Sequence, residues 1–455
     1  MWTARLKNVA WPQYGVCAAP PAPSAPELQR RVDVVREAME REGLAWLAVY
    51  GDREHYANLL WLTGFDPRFE EALLLISAQK TPLLLVGNEC MAYLKISSLW
   101  REGGVRHELF QPFSLPDQPR DASRTLDEIF VAEGVSGAIG CAGWKWYSRE
   151  DQIDAPAYIV DSLRLRGRVT NAARWLTRLR AHAGPAELAW LEYANVEASE
   201  AMRRLLLGIR EGQTDHELVQ VAGYNGLPTA CHWTVKTGPR RVSLASASGN
   251  RVERGNFLSA NLSYWGSNCC RCGWLASDAS EAPEGYAAEF AGPYMAAMAA
   301  WFSLLTIGRP GGDIAALIHE LLPYEQFGIM LNPGHLIHFE EWPGSPIYTG
   351  STERLHSGMV LQSDIIPSSG RYSSTRMEDS YAIADASLRQ ALREEYPAVY
   401  ERCLQRREFM AAALGFVLPD EVLPLSNLAG IAPPYLLSPE TLFTVTPQTS
   451  ARHVN

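Results

Sequence analysis

Apolar positions along this chain repeat first with the period of a helix and then with the density of buried strands. From Glu27 onward, Leu28, Val32, Val35, Met39 and Leu44 fall near one helical face. WLAVYG (46–51) follows as a buried strand, and YANLLWLTGF (56–65) runs into a glycine turn. ALLLIS (72–77) and PLLLVG (82–87) are strand-length apolar runs with a polar connection between them. Strands alternating with helical stretches predict an α/β domain. GVSGAIGCAGW (134–144) and the basic run LRLRGRV (163–169) complete it, which places a boundary near residue 175. Ahead of this domain, residues 1–26 are rich in Pro and Ala (PPAPSAP) and read as an irregular arm on the surface.

The second half carries longer elements. A helix is expected from about Pro185 to Gly208, opened by Gly184-Pro185 and turning Leu188, Leu191, Ala198, Met202 and Leu205 toward a core. The next helix opens with Thr214 and Glu217, the spacing of a capping box. CHWTVKTG (231–238), NFLSANLSYWG (256–266) and GMVLQSDIIP (358–367) read as strands. Helices are expected over about 284–306, from near Asp313, and over about 390–415, followed by a Pro-rich tail. The division is an amino-terminal arm (1–26), a first domain (27–175), a second domain (176–400) and a carboxy-terminal extension (401–455).

Composition narrows the partners. The 455 residues are 47% apolar, enough for sizeable cores. Against 41 basic residues stand 51 acidic ones, and a net charge of −10 repels phosphate backbones, so nucleic acid is not an expected partner. No apolar run approaches the roughly 20 residues of a membrane helix. The start lacks the basic-then-apolar order of a signal peptide, so a cytoplasmic location is expected. Among eight cysteines, Cys269, Cys270 and Cys272 crowd together without the second pair that a structural zinc site needs, and read as strand packing.

Four stretches in order carry a resemblance: helix, strand and LLWLTGF near the start; RWLTRLRAHAGPAELAWLEYA (174–194); NPGHLIHFEE (332–341); and LHSGMVLQSDIIP (355–367) followed by TRMEDSYAIAD (375–385). Together they resemble the creatinase, aminopeptidase P and prolidase family over roughly residues 27–390. The resemblance implies an α+β chain, a creatinase-like amino-terminal α/β domain followed by a pita-bread catalytic domain. It also implies a homodimer in which one copy's small domain covers the other's cleft.

Metallopeptidases of that family hold two divalent ions with two Asp, one His and two Glu, because paired dications repel and need anionic ligands. Here His335 matches the histidine of the Gly-His turn, Asp364 stands at the first Glu position and Glu378 at the second. The strand expected to carry both Asp ligands, NFLSANLSYWGSNCCRCGWL (256–275), holds no carboxylate; Asn261 and Asn268 or a nearby Cys stand there. Two carboxylates in place of four leave a dinuclear site under-neutralised. The expectation is no metal cofactor, or one divalent ion on His335, Asp364 and Glu378 in the manner of a facial triad.

Creatinase and ectoine hydrolase, within the same family, cleave C–N bonds without metal and use a histidine for proton transfer. The stretch equivalent to creatinase's catalytic histidine, SLASASGNRVERGN (243–256), contains none, which leaves His232 and His338 as candidates beside His335, Asp364 and Glu378. Arg376 and Arg271 are candidates for a substrate carboxylate, Glu341 for a cationic group, and Phe65 and Arg68 for contributions from a partner subunit. The bland alternatives are a core histidine, a turn histidine and surface arginines. The expected activity is hydrolysis of a C–N bond in a small polar substrate without a dinuclear centre. The alternatives are a single-metal Xaa-Pro peptidase-like enzyme and a non-catalytic small-molecule or peptide binding protein on the same fold.

Overall fold

The computed structural model describes residues 2–239, 242 and 244–448. The chain divides into two compact units, Pro21–Ala181 and Met1–Pro20 together with His182–Asn455. It opens with β1 (Trp2–Asn8), so the start read as irregular is a strand. β1 pairs antiparallel along its length with the last strand, Thr441–Pro447. The residues behind the misreading, the Pro-Ala run, lie beyond β1, where the chain enters the next unit.

The unit Pro21–Ala181 begins with a helix over Ala25–Arg41, capped by Ser24, whose Oγ accepts the Glu27 N–H at 3.4 Å. Its buried face carries Leu28, Val32, Val35 and Met39, the positions of the 3.6-residue pattern. The sheet contains β2 (Trp46–Gly51), β3 (Ala72–Ser77), β4 (Leu83–Val86), β5 (Arg106–Leu109), β6 (Gly137–Ala142) and β7 (Gly167–Asn171). The strand order is β5-β4-β3-β2-β6-β7. β2 is antiparallel to β3 and parallel to β6, so the sheet is mixed. β2, β3 and β4 are buried throughout, which explains their unbroken apolar sequence.

The other unit builds two four-stranded sheets. The first joins β8 (Thr234–Gly238), β9 (Phe257–Tyr264) and β10 (Ser267–Trp274) to a later strand. The second begins with β11 (His335–Leu336) and β12 (Val360–Gln362). After a short hairpin, β13 (Ser368–Ser369) and β14 (Ser373–Ser374), comes RMEDSYAI, which the sequence presents as one strand. It is two. β15 (Arg376–Glu378) adds to the first sheet beside β10, and β16 (Ser380–Ile383) joins the second between β12 and β17 (Val422–Pro424). Asp379 stands at the crossing from one sheet to the other.

Helices pack around these sheets. Pro185–Leu207 is opened by Glu187, whose carboxylate accepts the Gly184 N–H at 3.2 Å. Asp215–Ala222 carries the capping box of Thr214 and Glu217. The helix expected near 390–415 is two, Ala386–Glu395 and Pro397–Ala412, because Pro397 lacks the N–H that would continue the first. The last strand, Thr441–Pro447, is β18. Thus the segment after residue 401 contributes most of the Pro397–Ala412 helix, β17 and β18 to this unit.

Candidate active site

His335 is placed by a turn that only glycine allows. Gly334 has φ +113°, and a Cβ there would lie 3.1 Å from Trp301 Cζ2 and from the Gln362 carbonyl. Trp301 Nε1–H donates to the Pro333 carbonyl at 2.8 Å, and Ser345 Oγ–H to the Gly334 carbonyl at 2.8 Å, which fixes the turn. His335 then pairs with Gln362 across β11 and β12. Its Nδ1–H donates to the Leu336 carbonyl at 2.8 Å, so Nε2 is the atom turned to the cleft. Trp342 stacks on the imidazole with ring centres 3.9 Å apart.

Nε2 of the fully buried His335 faces Glu341 Oε1 at 3.3 Å and Asp364 Oδ2 at 3.6 Å, without a well-directed hydrogen bond to either. Asp364 follows β12. The pairing Gln362↔Ser380, continued two residues through the Ser363 N–H bond to the Asp379 carbonyl, brings Asp364 opposite Glu378. Glu378 comes from β15, where it pairs with Cys270. Two amides grip it: Asn268 Nδ2–H donates to Oε1 at 2.7 Å and Gln362 Nε2–H to the same atom at 3.3 Å. Asn268 also reaches Glu341 Oε1 at 3.4 Å.

This density of acid in a buried place moves the protons. Burial, Asp364 and Glu341 push the Glu378 carboxyl well up, against Arg376 and Gln362. Burial pushes Asp364 up to about 6, opposed by His335. For His335 burial works downward, but Glu341 and Asp364 outweigh it and hold the imidazole above its ordinary value. A proton shared among the carboxylates, or a cation between them, relieves the repulsion.

The donor set decides what cation fits. Ligand atoms of His335, Glu341 and Glu378 lie within 4.8 Å of one another. A nitrogen and carboxylate oxygens suit one divalent transition ion. Glu341 takes the place expected of Asp364 in that trio, and the count of two carboxylates made from the sequence becomes three with it. The site-facing positions of β9 and β10 include Asn261 and Asn268, and neither strand carries a carboxylate.

Other sequence candidates lie elsewhere. His338 Nε2 pairs with Glu187 Oε1 at 3.2 Å, at the start of the Pro185–Leu207 helix. His232 is exposed, next to the half-buried Cys231, rather than being packed in the core. Arg271, expected to meet substrate, is corrected to a structural role. It lies on the opposite face of β10 from Cys270, with Nη2 2.6 Å from Asp379 Oδ2 and further N–H groups on the carbonyls of Ile431, Cys270, Glu378 and Leu428. Phe65, expected to reach a partner's cleft, is fully buried within its own unit against Tyr93, with ring centres 5.7 Å apart. Arg68 lies over the same Tyr93 ring at 4.3 Å. Arg376 lies on the site's face of the sheet, beside Glu378.

Sequence reasoning missed Gln362 and Trp342. Gln362 had a signal: in an extended run, residues 362 and 364 share a face, so the partner of a site carboxylate was two positions away. Trp342 had none, because the segment after His335 has no regular period.

No protein-family model matches the chain, and no curated protein matches it. Solved structures do. The prolidase from Pyrococcus horikoshii OT3 superposes with TM-score 0.61 at 16% identity, covering 78% of this chain and 95% of that one. An X-Pro aminopeptidase from Thermotoga maritima MSB8 gives TM-score 0.58 at 16% identity, covering 76% and 95%. The N-terminal domain of the FACT complex subunit SPT16 from Cicer arietinum gives 0.58 at 13%, covering 79% and 95%. One architecture thus serves a prolidase, an X-Pro aminopeptidase and a subunit of a larger complex. The sheets, the helices and these superpositions together establish that the chain has the pita-bread fold of the prolidases and X-Pro aminopeptidases, preceded by the α/β unit of residues 21–181.

Proposed function

We propose that the protein is a hydrolase of a C–N bond in a small polar substrate, working from the His335, Asp364, Glu378 and Glu341 cluster without a dinuclear metal centre. The observation that carries this reading is the buried His335 Nε2, tautomer set by Leu336, turned toward two carboxylates without a well-directed bond to either. Groups whose environment holds protons near neutral pH are suited to acid–base chemistry. The carboxylate pair Asp364 and Glu378 takes a proton from a water, whose oxygen adds to the substrate carbon. His335 returns a proton to the departing nitrogen as the C–N bond breaks. Asn268 and Gln362 hold Glu378 in register for this exchange.

A panel of small amides, amidines and dipeptides tests the reading by release of amine. Glu378→Gln is expected to abolish turnover while the melting temperature stays within a few degrees, since the amide keeps the shape of the acid. Full activity in that variant would falsify the assignment. Substrates that bind and are never cleaved would leave the binding-protein reading in its place.

A second reading, a single-metal Xaa-Pro peptidase-like enzyme, is favoured by the convergence of His335, Glu341 and Glu378. A divalent ion held there would supply Lewis-acid activation of water. Ligands that carry protons must lose them on binding, so titration with Mn²⁺ should release about one proton per ion or more and tighten as pH rises from 5 to 7. Elemental analysis is expected to give less than two equivalents of metal.

A further inference from the structure

The loop between the helix Asp215–Ala222 and β8 carries the one Asn-Gly step in the chain, Asn225-Gly226. An asparagine can react with its own backbone. The next peptide nitrogen, once deprotonated, attacks the side-chain amide carbon and closes a five-membered succinimide ring. Glycine leaves that nitrogen open to the approach because it has no Cβ. Every other internal asparagine of the chain is followed by a residue with a side chain.

The fold gathers assistance around this step. Asn225 and Gly226 are both exposed, and Gly226 has φ +86° with open space where a Cβ would stand. No backbone hydrogen bond among the described residues holds the Gly226 N–H. Leu227 N–H donates to Asn225 Oδ1 at 3.2 Å. That bond folds the side chain back over the Gly226 peptide and sets a donor where negative charge gathers when the carbonyl is attacked. Asn225 Nδ2–H donates to Glu197 Oε2 at 2.7 Å, so a carboxyl lies against the nitrogen that must leave. Burial holds the half-buried Glu197 carboxyl above its ordinary range, against Arg204 and the Asn225 bond and together with Glu200. The loop itself is anchored. Tyr224 Oη–H donates to the Leu227 carbonyl at 2.7 Å, and its ring centre lies 5.4 Å from Trp233 and 6.1 Å from Tyr264.

We propose that Asn225-Gly226 is a self-modifying site, at which Leu227 N–H and the Glu197 carboxyl assist the chain's own deamidation. The Gly226 nitrogen gives its proton to solvent and bonds to Asn225 Cγ. Negative charge gathers on Oδ1, against the Leu227 N–H. Glu197 gives a proton to Nδ2 and later recovers it from solvent; the Cγ–Nδ2 bond breaks and ammonia departs. Water then opens the ring. Attack at Cγ leaves an aspartate, and attack at the main-chain carbonyl leaves an isoaspartyl linkage with an extra methylene in the backbone. The sum is one water in and one ammonia out. In either product the amide donor to Glu197 is replaced by a second acid, so the bond that ties the loop to the Pro185–Leu207 helix is lost.

Ammonia release and the mass of the tryptic peptide 211–236 follow the reaction in the full-length protein at neutral pH. A synthetic peptide of residues 222–229 in the same buffer gives the unassisted rate. The folded chain is expected to react at least threefold faster than the peptide and to gain one mass unit at position 225. Glu197→Gln keeps an acceptor for the amide but has no carboxyl proton to give, so it should bring the folded chain down to the peptide's rate or below. Asn225→Gln moves the amide carbon one bond further from the nitrogen and should leave peptide 211–236 unchanged in mass over the same period. The comparison with the synthetic peptide decides the matter even where Glu197→Gln fails to fold. A folded chain that reacts no faster than the peptide, an Asn225 that stays unmodified, or a rate untouched by Glu197→Gln would overturn the proposal.

Discussion

At the scale of single residues, neighbouring side chains on one strand divide between structure and site according to which face they take. Cys270 and Arg271 are adjacent, yet one lies beside Glu378 and the other is locked to Asp379. Burial holds the Asp379 carboxyl above its usual range, opposed by the Arg271 guanidinium and by hydrogen bonds from Ser426, Arg271 and Cys269. Replacing Arg271 by Met leaves that carboxylate buried and unpaired, so a loss of about 3–5 kcal/mol is expected in denaturant unfolding. A second residue-scale device is His55, held between Asp52 at 2.8 Å and Asp154 at 3.1 Å. Against burial, the bonds to Asp154 and Asp52 raise His55 to about 9. Against burial, the side-chain and backbone bonds from His55 lower Asp52 to about 2. The raised histidine stabilises fully below its unfolded value of about 6.5, and that contribution is lost as pH rises through 9. The lowered carboxyl stabilises above about 4, and that contribution is lost as pH falls toward 2. The unit Pro21–Ala181 should therefore melt highest between about pH 4 and 6.5 and soften toward pH 9, and His55→Phe should flatten the alkaline limb in calorimetry.

At the scale of elements, the turn before His335 and the break at Asp379 do the positioning. Gly334→Ala forces a side chain into the left-handed region against Trp301 and the Gln362 carbonyl. A cost of about 1–3 kcal/mol is expected, together with a loss of turnover larger than the loss of stability, because the displaced group is His335 itself. Thermal unfolding and kinetics on the same variant separate the two. Caps and periods were legible at this scale: Thr214 with Glu217 and the apolar face of Ala25–Arg41 both follow from local spacing. The division of RMEDSYAI was not legible, because each half has strand character and nothing local says that they enter different sheets.

At the scale of the whole molecule, the ends of the chain belong to the pita-bread unit. β1 and β18 pair over Trp2–Asn8 and Thr441–Pro447. Glu192, on the long helix, takes Arg402 at 2.7 Å and Arg406 at 2.6 Å from the carboxy-terminal helix, while Asn427 Nδ2–H donates to the Gly15 carbonyl at 2.9 Å. Deleting residues 2–9 should lower the melting temperature of this unit and leave that of residues 21–181 unchanged, as two calorimetric transitions would show. With Phe65 buried, a homodimer that covers a partner's cleft would depend on other groups, and light scattering at micromolar concentration decides whether the dimer forms at all.

What the sequence determined by itself is what short-range physics controls: β2, β3 and β4 of the first unit, the capped helices, the glycine turn that carries His335, and the absence of carboxylates from β9 and β10. These follow from side-chain period, backbone restriction and charge, each read within a few residues. Tertiary structure alone decided that Glu341 joins His335 and Glu378, that Gln362 and Asn268 grip Glu378, that Arg271 is structural, and that Arg376 makes no ion pair among the described residues. Those outcomes depend on which strands from distant parts of the chain become neighbours, and on which face each side chain then takes. A one-residue change of register would reverse them with no change in composition.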